Sequence, residues 1–136
     1  MEPPTPPRVP GKITIGKNTP ASGILLAPGA TKRETLAADE LTSYLETMTG
    51  KRLARTEASG KTAPPGAIVI GPQALAAGLI KQSELDKVAP DGYVVKVKDG
   101  RVGLCGARDV GTIYGAYALL RKAGVPVGKI DYLGGI

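Results

Sequence analysis

Histidine, tryptophan and phenylalanine are absent from this 136-residue chain, and cysteine occurs once, as Cys105. Without histidine the chain lacks the commonest general base and the commonest metal ligand. A lone cysteine forms neither an intramolecular disulfide nor a cluster of thiolate ligands, so it leaves the redox compartment open. Five tyrosines are the only aromatics, which excludes an array of platforms for stacking nucleobases and leaves the core to Ile, Leu, Val and Ala. No apolar run reaches the roughly 18 residues of a membrane-spanning helix. The opening Met1-Glu2-Pro3-Pro4-Thr5-Pro6-Pro7 has neither the basic start nor the apolar stretch of a secretory signal.

What is present fits one domain with its own core. Apolar residues make up 42%, and nineteen glycines and twelve prolines imply frequent turns. The formal charge is +6, from 18 Lys and Arg against 12 Asp and Glu. The cations are scattered, in runs no longer than two such as Lys32-Arg33 and Lys51-Arg52. That spacing reads as a solvated surface and gives no nucleic-acid interface.

Local patterns place the elements. Residues 1–12 form a proline-rich linker. Ile13-Thr14-Ile15 reads as an edge strand, and Ile24 to Ala27, between Gly23 and Pro28, as a strand buried on both faces. Thr31 and Glu34 have the spacing of a capping box. Behind them, Ala37, Leu41, Tyr44, Leu45 and Met48 form one helical stripe, ended by Gly50, so a helix is expected over Lys32 to Thr49. Arg52 to Glu57 is a weak, exposed strand, and Ser59 to Gly66 a loop. Ala67-Ile68-Val69-Ile70-Gly71 is short, apolar and rich in β-branched residues, the pattern of a central strand. Short helical turns are expected over Pro72 to Leu79 and Ser83 to Val88.

Asp99-Gly100 predicts a type I′ turn in which Lys98 faces Arg101, Val97 faces Val102 and Val95 faces Leu104. Tyr93, Val95, Val97, Val102 and Leu104 then share one face, with Lys96 and Lys98 on the other. Asp109 is placed as the cap of a last helix whose stripe is Val110, Ile113, Tyr114, Tyr117 and Leu120, ended by Gly124 and Pro126. Gly111, Gly115 and Ala118 share a face on which this helix can approach another backbone closely. From Val127 the chain reads as a strand or an exit segment.

No motif supplies a catalytic set. The glycine-rich turn from Gly103 to Gly111 lacks the spacing of a phosphate loop, and Asp109 would repel a phosphate. Among the acids open to glycoside hydrolysis, Asp39, Glu40 and Glu46 read as solvated, as does Asp91; Asp99 is needed by its turn and Asp109 by its cap. Cys105 has no histidine to activate it and reads as a small, half-buried side chain. Tyr114 and Tyr117, at core spacing with Ile113 and Leu120, read as core rather than as sugar platforms. We assign no catalytic residue, no cofactor-binding residue and no metal ligand, and expect no cofactor.

Five segments carry a family likeness. They are Ala30 to Gly50, with Ala37-Ala38-Asp39-Glu40-Leu41, Tyr44-Leu45 and Thr49-Gly50; Ile68-Val69-Ile70-Gly71; Asp91-Gly92-Tyr93-Val94-Val95; Val102-Gly103-Leu104-Cys105-Gly106; and Gly111 to Tyr117 with Leu119-Leu120. In this order they resemble the non-catalytic N-terminal domain of bacterial β-N-acetylhexosaminidases and α-glucuronidases, over about Ile13 to Gly124. After Gly124 the chain departs from the family, reading Val-Pro-Val-Gly-Lys where an aromatic Arg-Trp segment is common.

The resemblance implies an α/β two-layer sandwich, a mixed sheet of four to six strands with its two main helices on one face. It implies an accessory domain at 13–124, an exit segment at 125–136, and a catalytic (β/α)₈ barrel of the same polypeptide as partner. It also implies a secreted or periplasmic enzyme whose acid/base residues lie in the barrel; none of them maps onto this chain. The alternative is a free-standing binding module for acidic polysaccharide, using an exposed ribbon of Lys96, Lys98 and Arg101.

Overall fold

The computed structural model describes residues 14–15, 19–50, 52–122 and 132–134. In chain order the strands and helices are β1 (Thr14–Ile15), β2 (Thr19–Pro20), β3 (Gly23–Leu26), α1 (Lys32–Thr49), β4 (Ala54–Glu57), β5 (Ala67–Ile70), α2 (Pro72–Ala76), α3 (Gln82–Leu85), β6 (Tyr93–Lys98), β7 (Arg101–Gly106), α4 (Asp109–Lys122) and β8 (Tyr132–Gly134). Six strands form one mixed sheet in the order β4-β3-β5-β7-β6-β8. The first four run parallel to one another, and β6 runs antiparallel to both β7 and β8.

Parallel strands linked through helices are covered on both faces, and the short apolar runs β3 and β5 show it. Ile24, Leu26, Ile68 and Ile70, with Val95, Val102 and Leu104 of the hairpin, point to the side occupied by α1 and α4. There they meet Ala37, Leu41 and Leu45 of α1 and Ala116, Tyr117, Leu119 and Leu120 of α4. The two main helices therefore share one face, as the two-layer sandwich requires. Leu25, Val69, Val94 and Cys105 point the other way, onto Ala74, Leu79, Ile80 and Leu85 in and around α2 and α3.

The ends of α1 follow from local chemistry. Thr31 is extended (φ −69°, ψ 166°), its hydroxyl accepts from the Glu34 N–H at 3.1 Å, and Glu34 accepts from the Thr31 N–H at 2.9 Å. Gly50 closes the helix at φ 78°, a conformation that costs glycine little. Thr31→Ala should lower stability by about 1 kcal/mol, the usual loss for a side-chain cap, read as a fall in the urea midpoint. The hairpin has its expected register, with Lys98 opposite Arg101, Val97 opposite Val102 and Val95 opposite Leu104. Asp99 (φ 53°) and Gly100 (φ 73°) make the turn.

Several expectations need correction. β1 pairs with β2 in a separate ribbon instead of edging the main sheet; Ile13 lies outside the described residues. The exposed edge is β4. α4 begins at Asp109, where the last helix is expected to start, and this puts Asp109 in its first turn rather than at the cap position before it. Tyr117 is core, but Tyr114 is half-buried and belongs to neither cluster. Cys105 is buried, not half-buried. The side chain of Met48 and residues 123–131, with Gly124 and Pro126, lie outside the described residues. Tyr132–Gly134 joins the sheet as β8 against β6.

Candidate functional site

The acids singled out by the sequence are dispersed over the surface, and most are held by arginines. Asp39 of α1 pairs with Arg55 of β4, Glu46 with Arg52 at 3.0 Å, Asp91 with Arg108, and Asp109 with Arg33 at 3.1 Å. The first and last of these tie α1 to β4 and to α4. Asp99 occupies its turn, and Glu40 sits on α1, where its charge, after burial, helps push the Tyr117 phenol upward. The Arg33 guanidinium beside Asp109 holds its carboxyl below the usual range. Glu84 is shifted the same way, first by the Lys81 N–H that it accepts and then by Lys96. A general acid working near neutral pH needs the opposite shift.

In parallel α/β sheets the usual ligand crevice lies beyond the carboxyl ends of the strands. Here the ends of β5 and β7 are packed shut, while a hollow of about 390 Å³ remains at the ends of β3 and β4, lined by Leu26, Ala30, Thr35 and Glu57. Glu34, 7% exposed, fills the space beside Gly71, where an added Cβ would stand 2.8 Å from Glu34 Oε2. The Gly106 N–H donates to Thr112 Oγ1 at 2.9 Å. A Cβ on Gly106 would lie 2.2 Å from the Arg108 carbonyl oxygen and 2.5 Å from the Thr112 nitrogen. The glycine-rich turn thus serves close packing and offers no cradle for a phosphate.

Cys105 lies in the same stretch, near the end of β7. Burial, with a smaller contribution from the Glu34 charge, pushes its thiol up to about 12. The thiolate is the reactive form, so iodoacetamide at pH 8 should leave the native chain unmodified and label it only in denaturant, by intact mass.

The expected basic ribbon is divided. Lys96 is not free: its Nζ lies 3.3 and 3.4 Å from the two Glu84 carboxylate oxygens. Lys98 Nζ donates to the Gly78 carbonyl at 3.2 Å, and Arg101 Nε to the Ala63 carbonyl at 2.7 Å. Because the Glu84 pKa is lowered by folding, its contribution to stability is present above the ordinary value of 4.5 and is lost as pH falls through the lower folded value. Glu84→Gln should therefore flatten the loss of stability below about pH 4.5, measured by urea melts at pH 3 to 6.

Among the described residues there is no group of three or more Cys, Asp or Glu placed to hold a metal ion, and no helix is long and apolar enough to cross a membrane. A cavity of about 580 Å³ beside β4 is lined by Asp39, Thr42, Ser43, Arg52 and Arg55. Its one acid is already paired with Arg55.

Comparison with protein families matches residues 14–119 to the model described as glycosyl hydrolase family 67 N-terminus. Comparison with curated proteins finds no match. Among solved structures, the chain resembles a GH138 enzyme targeting pectin rhamnogalacturonan II, with a TM-score of 0.53 and 15% identity over 83% of this chain. It also resembles a family GH115 4-O-methyl-alpha-glucuronidase with specificity for decorated arabinogalactans, with a TM-score of 0.54 and 21% identity over 77% of this chain. The match spans only 11% and 14% of those two chains. At this identity the likeness is one of fold.

Proposed function

Because this chain belongs to the family of glycosyl hydrolase family 67 N-terminal domains, we propose that it is a non-catalytic accessory domain that supports and positions a catalytic barrel of the same polypeptide. The observation that carries this reading is the family match over residues 14–119. The chemistry agrees with it: most of the acids singled out by the sequence are committed to ion pairs or to a turn, and the crevice at the ends of β5 and β7 is filled by Glu34 and by glycine packing. The small share of the two similar enzymes that the match spans is what a module of a larger hydrolase gives. We assign the parent enzyme to the secreted or periplasmic space on the same resemblance.

The reading frame continuing past Ile136 tests the proposal. A barrel-encoding segment there, whose product melts lower when residues 1–136 are removed, is the expected result. A frame without a following domain, or a barrel equally stable and active without this chain, would overturn it. An export signal upstream in the same frame is expected as well, and its absence would refute the compartment.

A further inference from the structure

We infer that the hollow at the tip of the β6–β7 hairpin binds the carboxylate of an acidic saccharide. The hollow measures about 380 Å³, at the small end of the ~300–1,000 Å³ range of ligand pockets. Three cations from separate stretches of chain border it: Lys61 from the loop before β5, Lys98 from β6 and Arg101 from β7, with Asp99 the one acid among its lining residues. This inference goes beyond the accessory role and holds whether or not a barrel follows.

Charge compensation separates these three from Lys96 and from the ion-paired arginines. Arg33, Arg52, Arg55, Lys96 and Arg108 each pair with a carboxylate. In the hollow Lys98 and Arg101 are held by backbone oxygens, which orient them without neutralising them. Arg101 donates through Nε to Ala63 at 2.7 Å and through Nη1 to Asp99 at 2.6 Å, both to main-chain carbonyls. Three of its five N–H groups remain. A guanidinium fixed in this way is a planar fork of the shape a carboxylate accepts, with less side-chain entropy left to lose on binding. Lys98 keeps two protons after its bond to Gly78. Lys61 is exposed and forms no ion pair among the described residues.

The remaining lining selects within anions. Ala63 and Leu79 give a buried apolar floor, and Thr62 adds a hydroxyl at the wall. That mixture suits a sugar ring carrying one charge, and the absence of an aromatic among the lining residues removes the stacking platform that single-stranded nucleic acid uses. The same carboxylate chemistry occurs in a free hexuronate and in the uronate units of a polysaccharide.

The test is a titration of the full 136-residue chain followed by ¹H–¹⁵N correlation spectra at low ionic strength. The probes are glucuronate, an oligogalacturonate, a neutral oligosaccharide of equal length, inorganic phosphate and a short oligothymidylate. Saturable shifts confined to residues 61–63, 77–79 and 98–101 are expected with glucuronate, the oligogalacturonate or both, and they should weaken as salt is raised. If the monosaccharide alone binds, the ligand is free hexuronate; if binding needs the oligomer, it is the polysaccharide. Lys61→Gln with Lys98→Gln should weaken binding about tenfold or more, since hydrogen bonds between charged groups are being removed. Lys32→Gln with Lys87→Gln, which removes the same charge elsewhere, should change it less than about twofold. The same spectra report whether each variant is folded. Absence of saturable shifts, shifts spread over the surface, or equal weakening by the Lys32 and Lys87 pair would overturn the inference. Equal affinity for the neutral sugar, phosphate or oligothymidylate would overturn it too.

Discussion

Replacing Gly111 by alanine is expected to cost about 2–3 kcal/mol, the upper part of the range for overpacking. A Cβ at this position would stand 2.1 Å from the Gly92 carbonyl oxygen and 3.1 Å from the Gly106 Cα. Both neighbours are main chain, so no side-chain rotation relieves the clash. The Gly92 oxygen also accepts the Ala107 N–H at 3.0 Å, which fixes it against the turn that enters α4. Helix propensity alone predicts the opposite sign, because alanine in a helix is better than glycine by about 1 kcal/mol. Urea melts thus separate the two effects by direction. A raised midpoint would mean that α4 does not press on the turn before β6.

The second large effect lies where the next turn of α4 meets β7. Leu104 is fully buried, and Leu104→Ala should cost about 3–4 kcal/mol through lost burial and the cavity left behind. Gly115→Leu should cost about 1–3 kcal/mol for the converse reason, since its first side-chain carbon would stand 2.5 Å from Leu104 Cδ1 and 3.3 Å from Tyr93 Cβ. Combined, the inserted side chain enters the volume the other vacates. The double variant should then be more stable than the sum of the single losses by at least about 1 kcal/mol, as expected of residues in contact. Strict additivity in a double-mutant cycle would show that Gly115 and Leu104 do not meet.

Features that depend on a few adjacent residues were legible in the sequence. Thr31, Glu34 and Gly50 mark both ends of α1, and Asp99-Gly100 sets the register of the hairpin, because caps and tight turns are decided locally. The glycine face of α4 was legible as well, since Gly111 and Gly115 stand on one side of a helix whatever it packs against. What escaped was decided by distant partners. The parallel pairing of β4 with β3 and the ribbon of β1 with β2 have no local signature.

The surface electrostatics were hidden for the same reason. Lys96 looked free because Glu84 lies twelve residues earlier, in another element. Lys61 gave no sign that it would stand beside Lys98 and Arg101, since a loop brings them together. The place of Asp109 before an apolar stripe suggests a cap, whereas its carboxylate faces Arg33 across the helix pair. The expectation of no catalytic residue rests on composition, through the missing histidines and the acids spread over turns and helix surfaces. How those acids are employed required the fold.

The most direct measurement of the central claim is hydrolysis by the purified 136-residue chain of aryl glycosides of N-acetylglucosamine and of glucuronic acid, set beside a mock purification. A non-catalytic accessory domain should release aglycone no faster than the mock at any pH between 4 and 9. Turnover above the mock that co-purifies with the chain and disappears when it is unfolded in urea would contradict the account.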